Sequence, residues 1–203
     1  MNLRRLWIVM PLLMAGYLVV SCAMAPTTRT DIIGSWKAND YHGKLSNFLI
    51  VSHSEEPGIR AKFESIIASR LNEAGLRAAA SSDVMPAGEK INRETIRAAM
   101  AGKGFDAVMV SRLIDVDQSM VYVPPTPVTG FDNSFDNFSP VIASPAYIEP
   151  KTVIFMQLDL YDAASQRLVW SLKSRTANHS NISDFVNSLA QVVINELKAN
   201  DLI

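Results

Sequence analysis

Apolar residues in the first half of the folded region follow two spacings, one of a strand and one of a helix. Residues 45–53 contain an unbroken apolar run, which predicts a strand buried on both faces and central in a covered sheet. Residues 57–75 carry apolar side chains at three-and-four spacing, which predicts a helix that ends at Gly75. A short strand over 76–80 follows. After a polar loop, Asn92 is predicted to cap a second helix.

The second half of the pattern predicts three strands and a last helix. Residues 105–123 begin as an apolar run and continue in alternation, which predicts a long strand. Residues 152–161 and 168–175 also alternate, and the short turn between them predicts an antiparallel hairpin. Ser183 is predicted to cap a final amphipathic helix.

The element order predicts a fold of the α/β class. Read along the chain it is strand, helix, strand, helix, three strands, helix. Early crossovers make neighbouring strands parallel and the late hairpin adds antiparallel edges. We therefore expect a five-stranded mixed sheet covered by three helices, formed by residues 45–203 as one domain. An insertion at 124–150 interrupts it.

A hydrophobic leader precedes the domain. Arg4 and Arg5 are followed by an apolar stretch over 6–20, then by Ser21 and Cys22. The stretch contains a proline and is short of the roughly 20 residues that a helix needs to cross a bilayer, so it predicts a signal peptide over 1–21. The end of the leader resembles the bacterial lipobox, in which aliphatic residues and a small residue precede a cysteine.

The lipobox resemblance implies a lipid anchor. In that family the cysteine sulfur is lipidated, the chain is cleaved before the cysteine and the new amine is acylated, so Cys22 would hold the protein on a membrane. Ala23 stands where inner-membrane lipoproteins of enteric-type bacteria carry Asp, which favours the outer membrane. The polar residues over 22–44 are then expected to be a tether. Two alternatives stay open: a secretory leader cut elsewhere, and an uncleaved amino-terminal helix.

Composition narrows the classes of partner. The chain has a net charge of −1 and its basic residues form no cluster, so we expect no nucleic-acid surface. Cys22 is the only cysteine of the chain, which excludes a disulfide within it. Membrane and protein partners remain.

The insertion at 124–150 is rich in Pro, Phe and Asn and offers a hypothesis for partner binding. Phe131, Phe135 and Phe138 lie close together in a stretch without regular periodicity. Long loops of this kind are often functional. The alternative is a mobile insertion without a binding role. Calcium binding is disfavoured, because the acidic spacing matches no established loop and lacks a bidentate Glu.

The residue pattern gives little support for a catalytic site. The three histidines are scattered, and none has metal-ligand spacing with another. No Gly-x-Ser-x-Gly elbow and no glycine-rich phosphate loop is present. One alternative is an envelope hydrolase or small-molecule-binding protein using the loop after the first strand, with His53 and either Glu55 or Glu56. We expect no catalytic residues, no metal and no cofactor.

Three stretches carry a wider resemblance: the first helix, the segment that begins the third strand at Gly104, and the hairpin that returns through Val169 and Trp170. Together with the element order they resemble bacterial periplasmic lipoprotein domains, including the amino-terminal domain of TolB and the curli secretion lipoprotein. The resemblance implies a domain that assembles with an envelope protein or with itself. We therefore expect a non-catalytic, lipid-anchored binding or assembly module on the periplasmic face of the outer membrane.

Overall fold

The protein folds as a mixed α/β structure. The computed structural model describes residues 28–86, 88–127 and 142–203. Its elements are β1 (Arg29–Lys37), β2 (Asn47–His53), α1 (Pro57–Glu73), β3 (Arg77–Ala80), α2 (Ser81–Val84), α3 (Arg93–Met100), β4 (Ala107–Val123), β5 (Thr126–Pro127), β6 (Ile142–Ser144), β7 (Tyr147–Asp162), β8 (Leu168–Ala177) and α4 (Ile182–Ala199). Six strands form one sheet in the order β1-β8-β7-β4-β2-β3, and β5 pairs with β6 separately. No helix of the described part is both long and apolar enough to cross a bilayer.

The parallel part of the sheet is built around β2. This strand pairs in parallel with β3 on one side and β4 on the other. Its residues from Phe48 to Val51 are at most 1% exposed. An unbroken apolar run is required here because helices cover both faces of the strand. The predicted burial on both faces is confirmed, but β2 lies next to the edge strand β3 and not at the centre of the sheet.

The antiparallel part joins β4 to β7, β7 to β8 and β8 to β1. The hairpin predicted from the turn after residue 161 is therefore present as β7 and β8. Its return strand carries Trp170, which is completely buried. The mixed sheet expected from early crossovers and a late hairpin is confirmed.

Helices cover the two faces of the sheet unequally. On one face α1 and α4 pack against apolar residues from four strands and form the main core. The other face carries a smaller cluster, formed by Leu49, Val51 and Val108 beneath Met85 and Ala99. Both α2 and α3 are short, so the second face is covered mainly near β2 and β4. This inequality leaves a cavity, which is described below.

The predicted count of five strands and three helices is wrong, since the described residues alone form a six-stranded sheet and four helices. The missed strand, β1, lies within the predicted tether 22–44. Most of its residues are exposed. Backbone pairing with β8 holds it in place, together with hydrogen bonds of the Thr30 hydroxyl to Thr176 (2.7 Å) and Ser188 (2.9 Å). Backbone pairing leaves no apolar periodicity in a sequence. The missed helix, α2, is one short turn in the predicted polar loop.

Helix caps were predicted with mixed success. Asn92 caps α3 as expected, and its side chain accepts hydrogen bonds from Glu94 N and Thr95 N within a capping box. The cap of α4 is Asn181 and not Ser183, because the Asn181 side chain accepts from the backbone N–H of Ser183 and Asp184. Both residues are good N-caps, and only the position of the first helical turn decides between them.

Strand β7 begins earlier than predicted. It starts at Tyr147, inside the predicted insertion 124–150, and its Pro150 lies opposite Met120 of β4. Proline is tolerated in strands that lie at a sheet edge, and β7 is an edge strand here because β8 does not pair with this part of it. The ladder between β4 and β7 therefore runs farther than the prolines of the sequence indicate.

Candidate functional site

The lipidation site and the three candidate phenylalanines lie outside the described residues. This holds for Cys22 and for Phe131, Phe135 and Phe138. Their roles stay predictions. The described residues nearest to them in the chain are Thr28 and β1 after the cysteine, and β5 and β6 on either side of the phenylalanine segment.

The loop proposed for a hydrolase does not assemble a catalytic group. His53 ends β2, and the side chains of His53, Glu55 and Glu56 are all exposed. Among the hydrogen bonds and ion pairs of the described chain, none joins the His53 side chain to either carboxylate. Nor does any group of three or more His, Cys, Asp or Glu in this part of the chain have an arrangement that holds a metal ion.

The carboxyl end of β2 is organised instead by a buried carboxylate, Glu64 of α1. This side chain is fully buried and pairs with Arg60 at 3.1 Å. It also accepts hydrogen bonds from Ser52 N (2.8 Å), Ser81 Oγ (2.8 Å) and Ser82 N (2.9 Å). One carboxylate thus joins β2, α1 and the start of α2. Its oxygens are occupied by these donors, which makes Glu64 a structural group.

Strands β4 and β7 continue to pair with each other beyond the ends of their neighbours β2 and β8. Pairing of β2 with β4 ends at His53 and Arg112, and pairing of β8 with β7 ends at Ala177 and Val153. We call residues 113–123 of β4 and 147–152 of β7 the arm. Among the described strands, residues 113–123 of β4 pair only with β7 and residues 147–152 of β7 pair only with β4, so each segment has a free edge.

The two faces of the arm differ in charge: one is mainly apolar and carries no charged side chain, and all the charged side chains lie on the other. Its register places Met120 opposite Pro150 and Tyr122 opposite Ile148, on one side of the ladder. Met120 is 75% exposed, Ile148 66% and Tyr122 64%. The other side carries the charged residues Asp115, Asp117, Glu149 and Lys151 together with Val121 and Tyr147, which are 40% and 51% exposed. Ile154, on the apolar side at the base of the arm, packs against the main core, so the apolar face continues the covered face of the sheet.

The start of the described chain lies at the same end of the sheet as the arm. Arg29 of β1 pairs with Ala177 of β8, and Ala177 pairs with Val153 at the base of the arm. The Thr28 hydroxyl donates to the carbonyl oxygen of Asn178 at 3.2 Å, just beyond this level. Thr28 and Arg29 therefore lie at the level of the base of the arm.

A cavity of about 790 Å³ lies between α3 and the second face of the sheet. We call it the α3 cavity. Its apolar walls come from α3, from the floor strands and from the loop before β4, namely Ile96, Met100, Phe105, Val108, Val110 and Tyr161. Arg97 reaches across its mouth, where Nη2 donates to Gln166 Oε1 at 3.1 Å. The cavity exists because α3 covers β2 and β4 but does not reach over the end of β7.

Two aspartates at the border of the α3 cavity are engaged with the protein itself. Asp106 accepts from Ser46 N (2.9 Å), Ser46 Oγ (2.8 Å) and Asn47 N (2.8 Å). Asp162 accepts from Ser165 N at 2.7 Å, from the Ser165 hydroxyl and from Tyr41 OH at 3.3 Å. These carboxylates therefore hold loops in place and offer little acceptor capacity to a ligand.

The same contacts shift the pKa values of the groups involved. Burial acts to raise the pKa of Asp162, but hydrogen bonds from Ser165 and Tyr41 outweigh it, and the pKa lies below its usual value. Burial, followed by the nearby Asp162 carboxylate, raises the pKa of Tyr41 to about 12. Burial also raises the pKa of Tyr161, with a further contribution from Asp159. Both tyrosines are thus neutral hydroxyls near neutral pH.

Stability is expected to depend on the ionisation of Asp162. Because its folded pKa is lowered, its contribution is present above the pKa of an unfolded aspartate, about 3.9, and is lost as pH falls through the folded pKa. The variant Asp162→Asn should be less stable than the wild type at pH 7, and this difference should shrink at pH 2. Urea unfolding at the two pH values measures it. An equal difference at both would contradict the assignment.

The sequence shows weak signals for both surfaces. Alternation through Val116 to Val123 predicts the strand. It does not predict that β4 extends past β2, because the end of a strand pair depends on both strands. The spacing of Arg93, Ile96, Arg97 and Met100 places four residues on one side of α3. That pattern indicates a face with apolar and basic residues, yet the gap beneath it depends on the position of β7.

Comparison with known proteins returns structures only. No family model matches this chain, and no curated protein does. The PelC dodecamer from Paraburkholderia phytofirmans is 17% identical, with 84% of this chain and 96% of that chain covered and a TM-score of 0.45. Lipoprotein GNA1162 from Neisseria meningitidis is 18% identical, with 76% and 99% covered and a TM-score of 0.42.

A haemagglutinin homologue from Helicobacter pylori is also similar, at 8% identity and a TM-score of 0.32 over 80% of this chain and 91% of that chain. Scores and identities this low carry no argument about function. The resemblance to the TolB and curli lipoproteins stays a prediction.

Proposed function

We propose that this protein is a non-catalytic, lipid-anchored binding or assembly module of the bacterial cell envelope that holds a protein partner on its arm. The observation that carries the proposal is the exposed apolar face of the arm, centred on Met120, Tyr122 and Ile148. Contiguous exposed apolar residues on a protein surface are typical of interaction sites.

Strand pairing supports the same proposal. A two-stranded ladder on its own is marginally stable in water, and free strand edges pair readily with other chains. A partner that covers the apolar face of the arm would remove its exposed side chains from water. The charged residues on the opposite face, including Asp117 and Lys151, favour solvent there. The partner surface is therefore expected to be apolar and to approach from the side of α1 and α4.

The position of the anchor fits this arrangement. Cys22 precedes Thr28 by a segment that spans at most about 20 Å when extended. The arm beyond Val153 is about as long, at roughly 3.4 Å per residue. A lipid on Cys22 would therefore hold the arm beside the membrane, where envelope proteins are met at high local concentration. We place the protein on the periplasmic face of the outer membrane, as the residues around Cys22 favour.

The segment with Phe131, Phe135 and Phe138 belongs to the same proposal. It follows Pro127 of β5 and precedes Ile142 of β6, next in the chain to the two arm strands. Phenylalanines at this position would extend the apolar surface that the arm offers. We infer that they contact the same partner.

The partner site is tested by placing charges on the apolar face. A photo-crosslinking residue at Val116 in intact cells should capture a discrete partner, and the pair Met120→Asp with Ile148→Asp should abolish the product by removing apolar contact. The matched control is Asp117→Ser with Lys151→Ser on the opposite face, which should leave the product unchanged. Equal crosslinking in all three proteins would refute the arm as the binding surface.

Three further measurements separate the components of the proposal. Differently tagged copies show whether the captured partner is a second copy of this chain. Substitution of Phe131, Phe135 and Phe138 by Ser tests their share, and unchanged capture would exclude them. Mass spectrometry of the mature amino terminus tests the anchor, which an unmodified Cys22 would refute.

A further inference from the structure

The α3 cavity has the size and lining of a small-molecule site. Its volume of about 790 Å³ falls within the range of about 300–1,000 Å³ that is usual for ligand sites. The walls are apolar, with a small number of polar groups collected at the mouth. This division into an apolar interior and a polar opening is typical of sites for amphipathic ligands.

The apolar part of a ligand is defined by two opposed walls. On the sheet side Val108, Val110 and the ring of Tyr161 line the cavity, and on the helix side Ile96 and Met100 face them. Four of these residues, all except Val108, are only partly buried, although each is packed against the smaller core cluster. Apolar side chains that keep such exposure inside a cleft favour an occupant that removes them from water.

The polar part is defined by two arginines on successive turns of α3. Arg93 and Arg97 both line the cavity and both are exposed at its mouth. Arg97 gives one N–H to Gln166 and keeps further N–H groups available, since a guanidinium has five. The two aspartates nearby are already engaged, Asp106 by Ser46 and Asn47 and Asp162 by Ser165 and Tyr41. The donors that remain call for a ligand with acceptor oxygens.

We propose that the α3 cavity binds an amphipathic anion, an acyl chain of medium length that ends in a carboxylate. The chain lies between α3 and the floor formed by β4 and β7, and the carboxylate accepts hydrogen bonds from Arg93 and Arg97. Arginine suits this role because its planar fork matches the two oxygens of a carboxylate. The cavity lies at the opposite end of β4 from the arm, so this site is separate from the partner surface.

The test uses the full chain in lipid nanodiscs with a dodecanoic acid that carries a diazirine near its methyl end. Photolysis followed by mass spectrometry should locate the label in peptides that contain residues 96–110 or 161–166. Excess dodecanoate should remove the label, whereas dodecanol and dodecyltrimethylammonium should compete much less. Labelling confined to other peptides, or equal competition by dodecanol, would overturn the proposal.

Variants separate the head group from the apolar chain. The pair Arg93→Met with Arg97→Met should lower site labelling by at least about tenfold, from the loss of charged hydrogen bonds. Ala164→Trp, at the exposed rim of the cavity, should lower it by filling space. Arg77→Met, an exposed arginine on β3 away from the cavity, is the matched control. Labelling that is unchanged in both cavity variants would refute the site, and the arm variant Met120→Asp should not affect it.

Discussion

Replacing Glu64 by alanine is expected to lower the free energy of unfolding by about 3–5 kcal/mol, the cost of breaking a buried ion pair on one side. The carboxylate is fully buried and joins Arg60 of the same helix to Ser52, Ser81 and Ser82 of two other elements. Without it, two backbone N–H groups and a largely buried guanidinium lose their acceptor. Urea unfolding followed by circular dichroism measures the loss.

A surface pair on the same helix provides the control for this prediction. Glu73 is 58% exposed and pairs with Arg70 at 2.9 Å. Since exposed pairs contribute about 0–1 kcal/mol, Glu73→Ala should be close to neutral. Replacing both Glu64 and Arg60 by methionine should cost less than Glu64→Ala, because no charge is then left buried without its partner. Equal losses from Glu64→Ala and Glu73→Ala would show that the buried network does not stabilise the fold.

Replacing Trp170 by alanine is expected to cost a similar amount, about 3–5 kcal/mol, through the cavity left in the core. Trp170 is completely buried between α4 and the sheet, within the main apolar cluster. Its indole Nε1 has no hydrogen-bond partner among the described residues, which leaves a buried donor unsatisfied. Chemical denaturation of the variant and the wild type at equal pH measures the difference.

Phenylalanine at position 170 separates packing from the unsatisfied donor. Trp170→Phe loses part of the ring but removes a buried N–H whose desolvation costs about 1–3 kcal/mol. It should therefore be much less damaging than Trp170→Ala. Trp36→Ala on β1, where the side chain is 51% exposed, is the control and should have a small effect. A loss from Trp170→Phe as large as that from alanine would show that the indole N–H finds a partner.

The buried Glu64 network also shows what organises the carboxyl end of β2. Three elements converge at the carboxyl end of this strand, where open sheets often place ligands. Here the convergence is filled by Arg60 and by hydrogen-bond donors to one carboxylate. His53, Glu55 and Glu56 point to solvent around it.

The arm and the α3 cavity lie on different faces of the sheet. The face covered by α1 and α4 continues outward as the apolar side of the arm. The other face is covered only over β2 and β4, and the α3 cavity lies at the end of that cover. Both surfaces arise where a covering layer stops before the sheet does, so both leave apolar side chains such as Tyr122 and Val110 without full burial.

Local periodicity was enough to predict much of the fold. The run from Phe48 to Val51 predicts a strand buried on both faces, and the capping signal at Asn92 predicts α3. Such patterns show which side of an element is buried. They can be recognised in the sequence without knowing which elements pack against that side. The order of the elements also predicts parallel strands in the first half of the domain and an antiparallel hairpin in the second half.

The sequence by itself determined the α/β class, the order of the longer elements and the pattern around Cys22 that predicts a lipid anchor. Only the tertiary structure decided that β1 joins the sheet, that β4 and β7 outrun their neighbours as the arm, and that α3 leaves a cavity. These features depend on where separate elements end relative to one another. Strand pairing uses backbone groups that nearly every residue carries, and a cavity forms between separate segments. Neither feature therefore produces a hydrophobic periodicity in the sequence.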